Sequence, residues 1–170
     1  VRDRAVTIHN MVSHHYYRED SDRRLVPGIL RSRLYDTDDP KNTELKLEFL
    51  GARERENFYR KAIGDGTAPY LLAVSTIEPR KNHARLLAAW EVLKAEVDPT
   101  LKLVIVGSLG WGFDVLVPNL KAWMARGELL MVEKVPAADL RVLYRHAAAT
   151  VCPSVSEGFD YSGVEAMLCG

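Results

Sequence analysis

Tyr70-Leu71-Leu72-Ala73-Val74-Ser75-Thr76-Ile77-Glu78-Pro79 decides how the rest of the chain is read. Its first five residues are apolar without alternation, the pattern of a strand covered on both faces, as in a parallel sheet. Pro79 then opens a helical pattern, with Leu86, Trp90, Leu93 and Val97 at helical spacing and Pro99 beyond its end. The same unit repeats downstream. Leu101–Val106 reads as a second strand closed by Gly107, followed by a helix with Leu116, Leu120, Trp123 and Met124 on one side, Pro118 in its first turns and Gly127 as its C-cap. Leu129–Val132 is a third strand, and Pro136 starts a helix with Leu140, Leu143, Tyr144 and Ala147 on one face. Ala148–Cys152 is a fourth strand, and a helix beginning near Ser162 follows. Four such βα units with short connections predict an α/β fold with a doubly wound, parallel, Rossmann-like sheet. Ligands of such sheets bind beyond the carboxyl ends of the strands. The loops 75–81, 107–112, 133–136 and 153–163 are therefore expected along one edge.

Residues 1–68 are less regular. Ala5–Ile8 suits a short strand or a linker, Pro27-Gly28 precedes a short helix around 29–34, and Asp36–Pro40 is a loop. A charged, weakly amphipathic helix is expected from Asn42 or Thr43 to Ile63, ended by Gly64-Asp65-Gly66. Composition bounds the function. Lys plus Arg and Asp plus Glu both number 23, so the zero net charge gives no support for nucleic-acid binding. The two cysteines, Cys152 and Cys169, have neither disulfide-framework nor zinc-site spacing, which suits a reducing compartment. No apolar run is long enough for a transmembrane helix. His14-His15 lacks acidic or cysteine partners at ligand spacing, so no metal is expected. The start at Val1 and the stop at Gly170, just after a helical pattern, lead us to expect a piece of a longer chain.

The loops carry the chemistry. Arg80 and Lys81 lie at a helix start, where the helix dipole disfavours cations, so an anion shared between loops would explain them; solvated surface charges are the plain alternative. Gly107-Ser108-Leu109-Gly110-Trp111-Gly112 partly imitates a dinucleotide fingerprint, with Glu133 at the end of the next strand. Its glycine spacing does not match, but an NAD(P)-binding oxidoreductase stays open as an alternative. In the last loop Glu157 and Glu165 stand eight positions apart, and Ser162 with Glu165 forms a capping-box pattern. A helix N-terminus suits phosphate, and a carboxylate one turn into the helix can accept hydrogen bonds from sugar hydroxyls. The plain alternative is a capped surface helix. No nucleophile elbow or Ser–His–Asp arrangement is present; His83 reads as a helix-surface residue and His146 as a partly buried helix end.

Taken in order, these motifs resemble the C-terminal domain of GT-B fold glycosyltransferases, in particular the large retaining family called glycosyltransferase family 4 or "group 1". Val74–Asn82 looks like that family's strand–loop motif ending in a phosphate-contacting lysine, and Leu103–Gly107 is similar to its next strand and glycine. Val135-Pro136-Ala137-Ala138-Asp139-Leu140, with Leu143-Tyr144 and Ala147, resembles its V-P-x-x-D-L-x-x-L-Y-x-x-A helix. Pro153-Ser154, Glu157-Gly158-Phe159 and Glu165-Ala166-Met167 resemble its segment with two glutamates eight apart. Ala5–Val12 looks like the family's interdomain linker. The chain would then divide into a linker and helical lead-in over 1–68 and a nucleotide-sugar-binding domain over 69–170, short of its C-terminal end.

The resemblance implies a nucleotide-diphosphate-sugar donor, GDP- or UDP-linked, and transfer with retention to a glycan or lipid-linked acceptor without a required metal. A mannosyltransferase-like enzyme of surface-polysaccharide assembly is the expected kind. The acceptor would be held by an N-terminal domain outside this chain, so the chain alone should transfer nothing. The setting would be cytoplasmic, with peripheral contact at the inner face of the membrane open to it. By resemblance, Lys81 contacts the donor diphosphate and Glu157 sits near the sugar and the reacting centre. Glu165 takes the ribose hydroxyls, Val135 lies near the base, Gly107 closes the second strand, and backbone around Gly158, Phe159, Asp160 and Tyr161 faces sugar and phosphate. Three positions depart from the family pattern. Thr76 stands where the family commonly has arginine, which leaves Arg80 as the second cation. Asp160 replaces a glycine that admits the sugar, and could itself bind a sugar hydroxyl. His9 and Met11 replace linker Pro and Gly. A non-catalytic nucleotide- or partner-binding domain is the remaining alternative.

Overall fold

The computed structural model describes residues 6–34 and 44–170. Ala5, the loop expected over Asp36–Pro40 and the helix start expected at Asn42 or Thr43 lie outside the described residues. Four strands, β1 (Tyr70–Val74), β2 (Lys102–Val106), β3 (Leu129–Val132) and β4 (Ala149–Thr150), form one parallel sheet in the order β3-β2-β1-β4. Helices α3 (His83–Glu96), α4 (Val117–Ala125) and α5 (Ala137–His146) connect them, and α6 (Tyr161–Cys169) follows β4. Before the sheet come α1 (Val26–Arg33) and α2 (Ala52–Ile63).

Both faces of β1, β2 and β3 are buried, which is why these strands read as apolar runs. Tyr70, Leu72, Val104, Val106, Leu130 and Val132 point into a core with α1, α2 and α5. The alternate residues Leu71, Ala73, Leu103, Ile105, Leu129 and Met131 point into a second core with α3 and α4. This is the expected doubly wound sheet. Its directional logic follows from strand order. The chain moves from β1 outward to β2 and β3, then returns to the far side of β1 for β4. With right-handed crossovers, that reversal puts α5 on the face opposite α3 and α4, as observed. The switch of direction leaves a crevice between the carboxyl ends of β1 and β4.

Several elements differ from the sequence reading. On α3 the buried stripe is Leu86, Leu87 and Trp90, whereas Leu93 and Val97 are exposed. Trp90 sets this rotation: it is fully buried, and its Nε1 donates to Leu101 O at 3.1 Å. The fourth strand shrinks from five residues to two, because it pairs only with β1 and Pro153, without an N–H, ends the ladder. The long helix expected up to Ile63 starts only at Ala52, after Gly51. The preceding Leu45 and Leu47 are buried in the core of α3 and α4, Leu45 from a short 3-10 turn and Leu47 from backbone outside any helix, so the sheet core takes up this stretch without an α-helix. Residues 6–10 form neither strand nor helix, and Val6 and Ile8 are exposed.

The remaining early segments cover sheet edges and helix ends. Leu34 makes an antiparallel bridge to Val132, and Glu133 N donates to Arg33 O at 2.9 Å, so the outer edge of β3 is not left open. Lys102 Nζ donates to Ala62 O at 2.6 Å and Gly127 O at 2.8 Å, placing one cation against the carboxyl ends of α2 and α4.

At the ligand edge, β1 and β2 approach closely. A Cβ on Gly107 would lie 2.1 Å from Ser75 O. Gly107→Ala should therefore destabilise the protein by about 1–3 kcal/mol, through displacement of the β1 loop. Gly158→Ala, whose Cβ meets nothing within 4 Å, should stay within about 0.5 kcal/mol of the parent. Urea unfolding midpoints of the two variants would show the contrast; equal midpoints would mean that the loop gives way freely.

Candidate functional site

Two features occupy the carboxyl edge of the sheet. The first is a charge cluster over the β1/β4 crevice. After β1 the chain forms a single 3-10 turn, Pro79–Lys81, and Asn82 takes the left-handed conformation (φ 58°) before α3. That kink separates the basic pair from the long helix and turns it toward β4. The β4 loop is tied to it by backbone and side chain: Val155 N donates to Arg80 O at 2.9 Å, and Asn82 Nδ2 donates to Pro153 O at 3.0 Å.

Glu157 sits at the centre of the cluster. Lys81 Nζ donates to its Oε1, Ser154 Oγ donates to the same oxygen at 2.6 Å, and Arg80 Nη1 donates to Oε2 at 2.9 Å. Arg80 also donates to Ser156 O at 2.9 Å and pairs with Glu78 at 2.8 Å. Lys81, then Ser154 and Arg80, hold the Glu157 carboxyl down to about 2, so it is ionised at neutral pH. The structure thus brings together the two candidate catalytic residues, Glu157 and Lys81, with Arg80. Two cations and two carboxylates thus stand together where the loops after β1 and β4 meet.

The second feature is an open groove of about 440 Å³ at the ends of β1, β2 and β3. Thr76, Gly107 and Val135 line it, with Ser75, Ser108 and Glu133. The glycines of the second loop do not frame a dinucleotide site. Gly107 makes room for the Ser75 carbonyl, a Cβ on Gly110 would meet Thr76 Cγ2 at 2.7 Å, and Gly112 (φ 59°) lies against Pro79. A 3-10 turn, Asp114–Leu116, then intervenes before α4, so no helix N-terminus opens directly from the loop.

The last loop differs from its sequence reading. α6 starts at Tyr161 with Asp160 as N-cap, two positions before a Ser162 cap. Asp160 Oδ1 accepts from Gly163 N and from Ser162 Oγ, each at 3.2 Å. A Cβ at 163 would lie 2.3 Å from Asp160 Oδ2, so a larger residue there would displace the capping carboxylate. The capping box therefore does not form. Asp160 occupies a left-handed conformation (φ 62°), where glycine is favoured, and its cap offsets that strain. Phe159 and Tyr161 flank it, partly exposed, with ring centroids 5.0 Å apart. Glu165 does not join the charge cluster; Tyr144 Oη donates to its Oε2 at 3.1 Å, and burial pushes its carboxyl above the usual range.

His83, read as a surface residue, is 1% exposed. Its Nε2 lies 3.2 Å from Ser75 Oγ, and burial beside Lys81 pushes the imidazole down to about 4, so it is neutral at pH 7. The signal was present: His83 shares the i, i+3, i+4, i+7 stripe of Leu86, Leu87 and Trp90. Ser154 and Tyr144 were also missed as partners, and no local pattern names a partner 21 residues away. His146 is a half-buried helix end, with Nε2 3.0 Å from Ser21 Oγ. Among the described residues no group of three or more His, Cys, Asp or Glu stands close enough to hold a metal ion, and no helix is long and apolar enough to cross a membrane.

The family model for glycosyl transferases group 1 matches residues 54–170. The O-antigen chain mannosyltransferase B of Escherichia coli is 39% identical over 101 residues, 59% of this chain and 26% of that protein. The serotype-specific mannosyltransferase WbdA of Escherichia coli is 36% identical over 100 residues, 58% of this chain and 12% of that protein. The chain thus matches only a small part of the length of these relatives. A crystal structure of Anabaena Alr3699/HepE in complex with UDP and glucose shares the fold over 65% of this chain and 30% of that one, with a TM-score of 0.50 and 22% identity. With more than half of its length under the family match, the chain belongs to the glycosyl transferases group 1 family.

Proposed function

We propose that this chain is the donor-binding part of a retaining glycosyltransferase that takes a nucleotide-diphosphate sugar, GDP- or UDP-linked, and passes the sugar to a glycan or lipid-linked acceptor. The observation that carries the reading is the Arg80–Lys81–Glu157 cluster over the crevice at the β1/β4 switch. The names of the mannosyltransferase relatives favour mannose as the sugar, and the solved structure in complex with UDP and glucose is consistent with a nucleotide-linked sugar as donor.

On this reading Lys81 and Arg80 meet the diphosphate. As the anomeric carbon–oxygen bond breaks, its electron pair goes to the diphosphate oxygen, and the two cations stabilise that charge. Fixed charges facing the atom where charge develops contribute more than groups that must reorganise. The cations leave Glu157 for the phosphates, which frees its carboxylate near the sugar. The groove at Thr76, Gly107 and Val135 takes the nucleoside, Glu165 takes the ribose hydroxyls, and the backbone at Gly158, Phe159 and Tyr161 approaches the sugar. Asp160 is engaged in its cap. Charge compensation therefore rests on Lys81 and Arg80 more than on the start of α6. The acceptor is held by a domain outside this chain, so the chain alone transfers nothing; the setting is cytoplasmic, with peripheral contact at the inner face of the membrane.

A thermal-shift panel of UDP, GDP, ADP, their sugars and NAD tests the reading. Stabilisation by UDP or GDP and its sugar is expected; stabilisation by NAD alone would overturn it. Lys81→Ala should weaken nucleoside-diphosphate binding roughly tenfold or more, since a hydrogen bond to a charged group is lost. Titration calorimetry would measure this, and unchanged affinity would remove Lys81 from the site.

Glu157 makes a separate prediction about pH. Its folded carboxyl titrates near 2, below its ordinary 4.5. A depressed carboxyl contributes stability that is present above the unfolded value and is lost as pH falls toward the folded one. The stability advantage of the parent over Glu157→Gln should therefore be full near neutrality and shrink from about pH 5 downward, as read from urea midpoints. A gap that stays constant with pH would show that the ion pairs contribute nothing.

A further inference from the structure

Glu165 has a second neighbour behind its partner. Tyr144, which donates to Glu165 Oε2, is a buried residue of α5, so its ring cannot swing. Burial and the Glu165 charge push its phenol well above the ordinary range, so it stays a donor. The ring of Tyr16 meets that of Tyr144 edge to face, with centroids 6.2 Å apart and planes at 73°. Tyr16 comes from the segment before α1, far from Tyr144 in the chain.

That segment is strapped to α5 and to the loop before β1. Arg141 Nε donates to Glu19 Oε1 at 3.1 Å and Arg141 Nη1 to His15 O at 2.9 Å. Arg23 Nε donates to Gly66 O at 2.8 Å. The contacts run without a break from the strap, through two tyrosine rings, to one oxygen of Glu165. A carboxylate has two oxygens, and a phenol that holds one leaves the other to accept from elsewhere.

We propose that Tyr144 is a positioning residue for ribose recognition: it pins Oε2 of Glu165 so that Oε1 is presented to the ribose hydroxyls, and the strap from His15 to Arg23 locks Tyr144 through Tyr16. This rests on the reading of Glu165 given under Proposed function. A flexible glutamate loses rotamer freedom when it binds a ligand, and a pinned one has already lost it. Removing the phenol oxygen frees the carboxylate to turn, while the ring still fills its place in the core.

The test is the preference of the full protein for GDP over 2′-deoxy-GDP, and for UDP over 2′-deoxy-UDP, measured by titration calorimetry on the parent, Glu165→Ala and Tyr144→Phe. Thermal melts check that each variant is folded. The parent should prefer the ribonucleotide about tenfold, the scale of one hydrogen bond to a charged group. Glu165→Ala should abolish that preference. Tyr144→Phe should reduce it severalfold and leave the affinity for the deoxynucleotide unchanged. If Tyr144→Phe weakens both nucleotides alike, or keeps the full preference while Glu165→Ala loses it, the positioning role is overturned and the reading of Glu165 stands. If the parent shows no preference, the reading of Glu165 falls, and the positioning role falls with it.

Discussion

A right-handed crossover can put its helix on only one face of a parallel sheet, and that face changes when the chain reverses its direction across the sheet. In this protein the reversal comes after β3. It sends the chain back past β2 and β1, so that β1 becomes a central strand with β2 on one side and β4 on the other. Two cores, one on each face, follow from this, as do the apolar strands that serve both. So does the crevice between the ends of β1 and β4. No side chain creates that crevice; it is what remains when the connections leave from β1 and β4 toward opposite faces.

The charged residues use the crevice in a way consistent with their positions. Arg80 and Lys81 stand where a helix dipole would repel them, but Asn82 breaks the backbone between them and α3. Their charge is met by Glu157 across the crevice and by Glu78 beside it, so the cluster is balanced without a ligand. On the proposed function the donor's phosphates replace a carboxylate that already fits the two cations. Such an exchange of one anion for another needs little rearrangement of the protein. At the start of α6, Asp160 spends its carboxylate on Gly163 N, and on the same proposal most of the phosphate charge is left to Lys81 and Arg80.

Much of this was legible in the chain, and each miss has its own physical cause. The parallel sheet, its strand positions and the common edge of its loops followed from unbroken apolar runs set between helical stripes. His83 was misplaced although its spacing from Leu86, Leu87 and Trp90 put it on the buried stripe; its polarity outweighed its position in the reading. Leu45 was expected in a helix, but it and Leu47, two positions on, are buried outside any α-helix, because a long-range core was available to them. Ser162 and Glu165 match a capping box, and Asp160 took the cap because its carboxylate reaches Gly163 N, where no Cβ stands in the way.

The sequence by itself determined which segments are strands and which residues can carry charge at their ends, since apolar periodicity and residue chemistry are local properties. It also pointed to Lys81, Arg80, Glu157 and Glu165 as a set. Only the tertiary structure decided how that set divides. Strand order put β1 beside β4, so the loop of Lys81 and Arg80 meets the loop of Glu157 across 76 positions of chain. Helix packing put α5 against α6, so Glu165 turned to Tyr144 and, through Tyr16, to a segment more than a hundred residues earlier. The physical reason is that pairing between distant segments depends on which surfaces each must bury, a property of the whole sheet and not of any one stretch.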